Sequence, residues 1–425
     1  MRVLRLGSSG PAVELLQLAL NRAGSGELET DGLFGGATRA ALQRFQYERG
    51  LATDGVAGPL THQKLLPWYT GYAVRTVQRG DTVYRLARDY GSSEEAILLA
   101  NPGVRPEKLR IGSELVVPLP FAVVPTTVRY SSALIAYCVR GLAARYPFLR
   151  AGEIGKSVMG RPLWSLSIGE GENRVLYNAS HHANEWITTP LLLKFTEELA
   201  AAFAAGGAIG GYAASELLDY ATITLIPALN PDGIDLATGE LRQGEFYENA
   251  RRIAGGWPGV PFPEGWKANI RGVDLNLQYP ALWETAREIK FSQGVTGPAP
   301  ADFVGTAPLS APESRALADF TRRLDPALVL AYHSQGEVIY WQFQGEAPAE
   351  SQRIAALFAE VSGYEAAETP YVSGFAGYKD WFIQDFDRPG FTIEVGRGVN
   401  PLPLSEFNGI YRANLGILTL GALVT

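Results

Sequence analysis

The sequence predicts a multidomain chain whose largest part is an α/β domain, a mixed or mostly parallel sheet flanked by helices, preceded by a small all-α module and a βααβ module. Three observations carry that reading. From Ser131 to the end, helix-like segments alternate with short apolar runs. Residues 1–68 contain a weak internal repeat, DGLFGGATRAALQRFQ from Asp31 and DGVAGPLTHQKL from Asp54. Residues 73–118 read as strand, helix, helix, strand. The 425 residues are too many for one ordinary core. A stretch rich in Pro and β-branched residues reads as a stiff linker at 119–130, which leaves 131–425 as the large domain.

In the first module each Asp-Gly turn leads into a short segment of helical apolar period, so two similar loop-to-helix corners are expected. Leu15, Leu18, Leu42, Phe45 and Leu65 are spaced to form its core, with His62 on a helix surface. In the second module, TVQRGDTVYRLARDYGSSEEAILLANPG is followed by LRIGSELVVPL, with Asp81 and Ser92 or Ser93 as candidate N-caps. In the large domain the helical pieces are Ser131 to Tyr146, Pro190 to Phe203, Glu313 to Leu324, Gln352 to Ser362 and Ser405 to Leu420. The strand-like runs are Pro162 to Ile168, Val175 to Ala179, Ala221 to Pro227, Leu328 to Tyr332 and Phe391 to Val395.

Composition narrows the function classes. A net charge of −7 and a pI near 5.4 argue against nucleic acid or an anionic membrane as the main partner. No run approaches the ~20 apolar residues of a membrane span. MRVLRLGSSG lacks the apolar stretch of a signal peptide, so encoded export is not expected. Cys138 is the single cysteine, which excludes an internal disulfide and a thiolate cluster and fits a buried thiol on an amphipathic helix.

The chemistry concentrates in YNASHHANEWITT, residues 177–189. An apolar run delivers the chain into a polar corner with His182 and Glu185, and a long apolar helix follows. A neutral imidazole and a carboxylate three residues apart can converge on one zinc ion. A third ligand is needed, and of the four histidines His333 ends an apolar run, at the strand tip where open α/β sheets place their ligands. Glu394 similarly ends the run FTIEV, where a carboxylate needs either a partner or a task.

Resemblances sharpen these expectations. The repeat in residues 1–68 resembles the peptidoglycan-binding domain of bacterial wall hydrolases. Gly80, Asp81, Thr82, Leu86, Ala87, Asn101, Pro102, Ile111, Gly112 and Pro118 make residues 73–118 similar to a LysM module, which implies recognition of N-acetylglucosamine-containing glycan. HHANEWITTP, LNPDG, GVDLN, YHS and FTIEVG follow one another in the order of the zinc carboxypeptidase (funnelin) family. That resemblance implies one zinc per catalytic domain on His182, Glu185 and His333, Glu394 as general base, and Asp274 behind His182 fixing its tautomer. It places the oxyanion-stabilising cation at Lys267, with Arg271 as the competitor.

Departures from the family pattern matter as much. The family's digestive members place an Arg after the Asn of the GVDLN-type motif to clamp a C-terminal carboxylate. Here Asn276 precedes Leu277, which cannot make a bidentate clamp. Asn184 stands where an Arg is usual, and Ile383 stands where a Tyr acid is expected, with Tyr378 and Trp381 nearby. With HSQGEVIYW, WKANIRGVDLNLQYP and IEVGRGVNPLP, these replacements resemble the bacterial γ-D-glutamyl-L-diamino-acid endopeptidases, so peptidoglycan glycan and stem peptides are the expected partners. Asn276, Asn184, Ser334, Gln335, Glu337, Tyr378 and Arg397 are the candidate substrate contacts, Glu337 and Arg397 having ordinary surface pairing as the alternative. A wall-anchored general metallocarboxypeptidase and a non-catalytic wall-binding protein are the competing functions. A cell-wall, spore-associated or cytoplasmic site of action is compatible with the sequence.

Overall fold

The computed structural model describes residues 2–424, which fall into two compact units, Met1–Arg150 and Ala151–Thr425. In the first unit, helices Pro11–Arg22, Gly36–Glu48 and Pro59–Thr70 form the N-terminal module. Its sequence repeat is a repeat of hydrogen bonding. Gln17 donates to Asp31 Oδ1 (2.7 Å) and accepts from the Gly32 N–H (2.9 Å). Gln46 does the same with Asp54 (2.9 Å) and Gly55 (2.9 Å). Both glycines need positive φ, +72° and +70°, a conformation that disfavours residues with a Cβ. Leu15, Leu42, Phe45 and Leu65 are buried as expected, whereas Leu18 is only half-buried and Val13, Leu16 and Leu20 take its place. His62 is buried rather than on the surface, bonded to the Tyr69 hydroxyl (2.9 Å) and the Arg2 carbonyl (3.0 Å).

The βααβ module pairs Tyr72–Thr76 with Glu114–Pro118 antiparallel and packs helices Val83–Tyr90 and Glu94–Ala100 beside them. Thr82, not Asp81, caps the first helix, accepting from the Arg85 N–H (3.0 Å); Ser93 caps the second (3.0 Å). Asp81 instead accepts from the Gln78 N–H (2.9 Å) and pairs with Arg75. The helix Ser132–Arg145 packs in this first unit, against Pro59–Thr70 and both strands, although its periodicity reads as the start of the large domain. Tyr137 stacks on Tyr69 with ring centroids 5.3 Å apart. Gly141 lets the helix approach closely, since a Cβ there would lie 2.0 Å from the Thr70 carbonyl oxygen. Cys138 is buried on this helix.

The second unit is built on an eight-stranded sheet in the order Glu365–Ala367, Val338–Tyr340, Gly390–Glu394, Leu328–His333, Asn173–Ala179, Ala221–Ile226, Pro162–Ile168, Arg150–Lys156. The four strands from Gly390–Glu394 to Ala221–Ile226 run parallel, and antiparallel neighbours flank them. Continuous apolar runs form the central strands because both faces are covered. The short outer strands and polar Arg150–Lys156 give no such signal, and the sequence reading misses them. Register matters for function: Glu394 lies opposite His333, and both end parallel strands. Among the described residues, no helix is long and apolar enough to cross a membrane.

One buried acid gives this unit a pH-dependent stability. Glu313, fully buried near the start of helix Pro312–Leu324, accepts from the Val158 N–H (3.0 Å) and the Asn269 amide (3.3 Å). Burial dominates and pushes its carboxyl up to about 7 from the ordinary 4.5. The native state therefore holds this proton more tightly than the unfolded chain. Stability attributable to the group is full below pH 4.5 and is lost as pH rises towards 7, by about 3 kcal/mol. In urea titrations between pH 5 and 8, Glu313→Gln should flatten that decline; an unchanged slope would assign it to other groups.

Candidate metal centre and active site

The strand Asn173–Ala179 ends in a sharp corner with Ser180 at φ 53°. Its hydroxyl meets those of Thr188 and Thr189, both at 2.9 Å, at the start of helix Thr188–Ala204. A short turn, Ala183–Glu185, lies between strand and helix and turns His182 and Glu185 to the same side. Asn230 of the LNPDG motif braces the corner. Its amide donates to the carbonyls of His181 and Ala268, each at 3.1 Å, which ties the histidine loop to the segment carrying Lys267. The Ala183 N–H donates to the Lys267 carbonyl at 2.9 Å.

His182, Glu185 and His333 meet at this edge, all buried, with their ligand atoms within 4.8 Å of one another. The Nδ1 atoms of the two histidines face each other at 3.1 Å, and Glu185 places one carboxylate oxygen 2.9 Å from each. Two imidazole lone pairs aimed at one point repel unless a proton or cation lies between them, so the donor set fits a small divalent ion. Two nitrogens and a carboxylate suit zinc with an open position. His182 uses Nε2 to donate to Asp274 Oδ1 at 3.1 Å, which leaves Nδ1 as the lone-pair nitrogen. Asp274 is held by the N–H groups of Asn276 and Asp302, each at 3.1 Å. His181 stays outside the cluster, its Nε2 on the Tyr279 hydroxyl at 3.0 Å.

Charge is concentrated here. Burial alone would depress His182, but Glu185 and Asp274 push it up to about 9. Burial would raise Glu185 and Asp274, yet the His182 imidazole holds both below the usual carboxylate range. Burial first, and Glu185 second, raise Glu394 to about 8. Lys267, 36% exposed, has its Nζ 4.0 Å from Glu185. Burial would lower it, but the acids around it push it up to about 12. A cavity of about 240 Å³ opens beside the cluster, with His182, Lys267, Asp274, Asn276, His333 and Glu394 in its wall.

The family model for zinc carboxypeptidases matches residues 135–414, more than half of the chain. The chain belongs to the zinc carboxypeptidase family. Models of a putative peptidoglycan-binding domain and a LysM domain match residues 9–65 and 76–118. Gamma-D-glutamyl-L-diamino acid endopeptidase 1 of Lysinibacillus sphaericus is 44% identical over 292 residues, 69% of this chain and 72% of that protein. The uncharacterized protein YqgT of Bacillus subtilis (strain 168) is 39% identical over 293 residues, 68% of this chain and 76% of that protein. Bovine thrombin-activatable fibrinolysis inhibitor, solved with a tick carboxypeptidase inhibitor, shares the fold. Its TM-score is 0.53 at 19% identity, covering 69% of this chain and 96% of that one. As a zinc carboxypeptidase family member the chain is a zinc metallopeptidase, and His182, Glu185 and His333 are the group able to bind its one metal ion.

The structure sorts the remaining candidates of this zinc metallopeptidase. Lys267 faces the cavity, whereas Arg271 lines a separate one of about 850 Å³ that contains none of the metal-cluster residues. Asn276 lines the metal-side cavity, and its side-chain oxygen accepts from the Tyr378 N–H at 3.0 Å. Asn184 is buried with its side-chain oxygen unpartnered. Ser334 donates to the Asn400 side chain (2.8 Å), and Gln335 accepts from the Gly398 N–H (3.3 Å). Arg397 and Glu337 pair with each other at 2.6 Å, with Arg397 76% exposed, and neither lines the cavity. Tyr378 does not line the cavity: it is fully buried and its hydroxyl meets Thr321 at 2.9 Å. Ile383 and Trp381 are likewise core residues, because helix Tyr378–Phe386 turns that face onto the sheet. The phenols near the cavity are Tyr340, in its wall, and Tyr371, 67% exposed on the turn between Pro370 and Ser373.

Sequence reasoning missed Tyr340, Lys290, Asp302, Thr392, Lys379 and Asp380, all of which line the cavity. Thr392 had a usable signal, since two residues before Glu394 on a strand is the same face. Tyr340 ends a strand too short to show alternation, Asp302 lies on a loop, and Lys290, Lys379 and Asp380 stand on two helices whose orientation no periodicity fixes. Asp274→Asn should weaken zinc about 10–100-fold in a competition with a chelator, because the imidazole loses its fixed tautomer. Zinc affinity equal to that of the parent would remove Asp274 from this role.

Proposed function

We propose that this chain hydrolyses the bond between the side-chain carboxyl of D-glutamate and the following L-diamino acid in peptidoglycan stem peptides. The observation that carries the reading is Leu277 in the wall of the metal-side cavity. An apolar side chain stands where recognition of a free C-terminal carboxylate needs a guanidinium. Among the described residues the cavity is lined by no arginine, Lys290 is taken by Asp302 at 2.6 Å and Lys379 by Asp380 at 2.5 Å. A site so built does not select chain ends ahead of interior bonds. The Lysinibacillus sphaericus relative, named for cleavage at a γ-D-glutamyl-L-diamino acid bond, supports the reading. So do the two wall-binding modules, which would tether the enzyme to peptidoglycan and raise the local concentration of stem peptides. Cell-wall association follows from the same modules.

His182, Glu185 and His333 would hold the zinc, with Asp274 orienting His182. Bound zinc supplies Lewis acidity towards water and the scissile carbonyl. Glu394 takes the proton of the attacking water and returns it to the departing amine. Lys267 balances the charge that develops on the carbonyl oxygen. Digestion of purified muropeptides followed by mass spectrometry tests the assignment. The expected products are fragments ending in D-Glu and fragments beginning with the diamino acid. Release of terminal D-Ala alone would instead establish a wall-anchored carboxypeptidase, and no cleavage by zinc-loaded protein would leave a wall-binding protein.

A further inference from the structure

The first unit holds a cavity of about 490 Å³ where its two wall-binding modules meet. Four guanidiniums line it, each from a different element: Arg22 ends helix Pro11–Arg22, Arg49 follows helix Gly36–Glu48, Arg75 lies on strand Tyr72–Thr76 and Arg85 on helix Val83–Tyr90. Among the described residues only Asp81 and Asp89 oppose them in the lining, so this wall is positive within a chain of net charge −7. Arg22 donates to the carbonyls of Trp68 (3.0 Å) and Ala122 (2.8 Å), and Arg75 to Asp81 (3.3 Å) and Gln78 (3.1 Å). Arg49 is held differently, its guanidinium 4.7 Å from the centroid of the Trp68 ring. Stacking fixes the plane but occupies no N–H, and among the described residues the Arg49 side chain has no hydrogen-bond or ion-pair partner. Arg85 makes an ion pair with Asp89 at 3.6 Å. The Trp68 indole N–H and the Tyr90 hydroxyl, both half-buried in the same wall, likewise have no hydrogen-bond partner among the described residues.

Like charges gathered around one small space repel, and two aspartates among four arginines offset half of that repulsion. A dianion in the cavity removes the rest. Neutral sugar units gain little from guanidinium forks, which match carboxylates and phosphates instead. The peptidase reaction proposed above makes such a ligand. Water splits the γ-amide of D-Glu, the diamino acid leaves as an amine, and the glycan-attached fragment then ends in a D-Glu whose α- and γ-carboxylates are both free. We propose that the junction cavity is a product-binding site, with Arg49 and Arg85 on the two carboxylates of that terminal D-Glu. The Trp68 indole and the Tyr90 hydroxyl donate to the neighbouring peptide or sugar oxygens. Occupied in this way, the wall-binding half holds the enzyme on strands whose stems it has already cut, beside stems still intact. Two of the four arginines come from each module, so neither module offers the site alone. The inference rests on the peptidase reading above and deepens it.

The test titrates the full zinc-loaded chain carrying Glu394→Gln, by calorimetry, with N-acetylmuramyl-L-alanyl-D-glutamate and with its γ-carboxamide. The amide keeps the shape of the uncut bond and carries one charge fewer. The free acid should bind at least about tenfold more tightly, the loss expected when the charge of a hydrogen-bond partner is removed. Adding Arg49→Met or Arg85→Met should largely abolish that preference. Both side chains are exposed, so the helices lose no core contact, and each readout is a ratio between two ligands on one protein. Equal binding of acid and amide by the chain with both arginines overturns the proposal. So does a preference that survives both substitutions, since it then belongs to the metal-side cavity. Arg49-dependent binding of glycerol phosphate oligomers that is tighter than that of the free acid overturns it in favour of a phosphate-bearing wall polymer. Digestion of muropeptides by the parent enzyme separates this inference from the peptidase reading: cleavage without the acid preference removes the product site alone, whereas no cleavage removes both.

Discussion

Replacing Glu394 by Gln should lower kcat on muropeptides by about 10²–10⁴-fold, the range expected for loss of a positioned general base. Zinc content and binding to peptidoglycan should be unchanged. The amide keeps the shape of the side chain at the end of strand Gly390–Glu394, opposite His333, but cannot accept and return a proton. Zinc is held by other residues, so metal analysis separates loss of the base from collapse of the site. Turnover within a few-fold of the parent enzyme would show that another group takes the proton.

Lys267→Met should reduce kcat by about 10²–10³-fold with a much smaller change in KM, as expected when a cation acts mainly on charge that develops during reaction. The physical basis is placement. The Lys267 ammonium faces the metal-side cavity 4.0 Å from Glu185, whereas Arg271, four residues on, lines a different cavity. Arg271→Met is the matched control and should leave kcat nearly unaltered. A larger loss from the arginine than from the lysine would reverse the assignment.

Much of the catalytic unit was legible because its signals are local. Each central strand is an apolar run bounded by polar turns, and the reading placed Pro162–Ile168 at the observed bounds and Leu328–His333 one residue short. The metal ligands were legible because His182 and Glu185 share one short turn and His333 ends one of those runs. Tyr378 shows where that logic stops. It lies near the expected acid position in sequence, but the packing of its helix points the ring into the core against His181 and Tyr279. Arg397 and Glu337 are close in space to each other and satisfy one another, which no spacing in the sequence reveals.

By itself, then, the sequence determined the three-part organisation, the sheet type and the pairing of His182 with Glu185, because each rests on residue type and short-range spacing, while His333 as the third ligand and the missing carboxylate clamp at Leu277 were implied by the family resemblance. The tertiary structure decided which cation faces the metal-side cavity, which aromatic groups are core, and that Lys379 and Asp380 share the cavity with the metal cluster. Those outcomes depend on how helices and turns orient against the sheet, and orientation is set by packing among residues far apart along the chain.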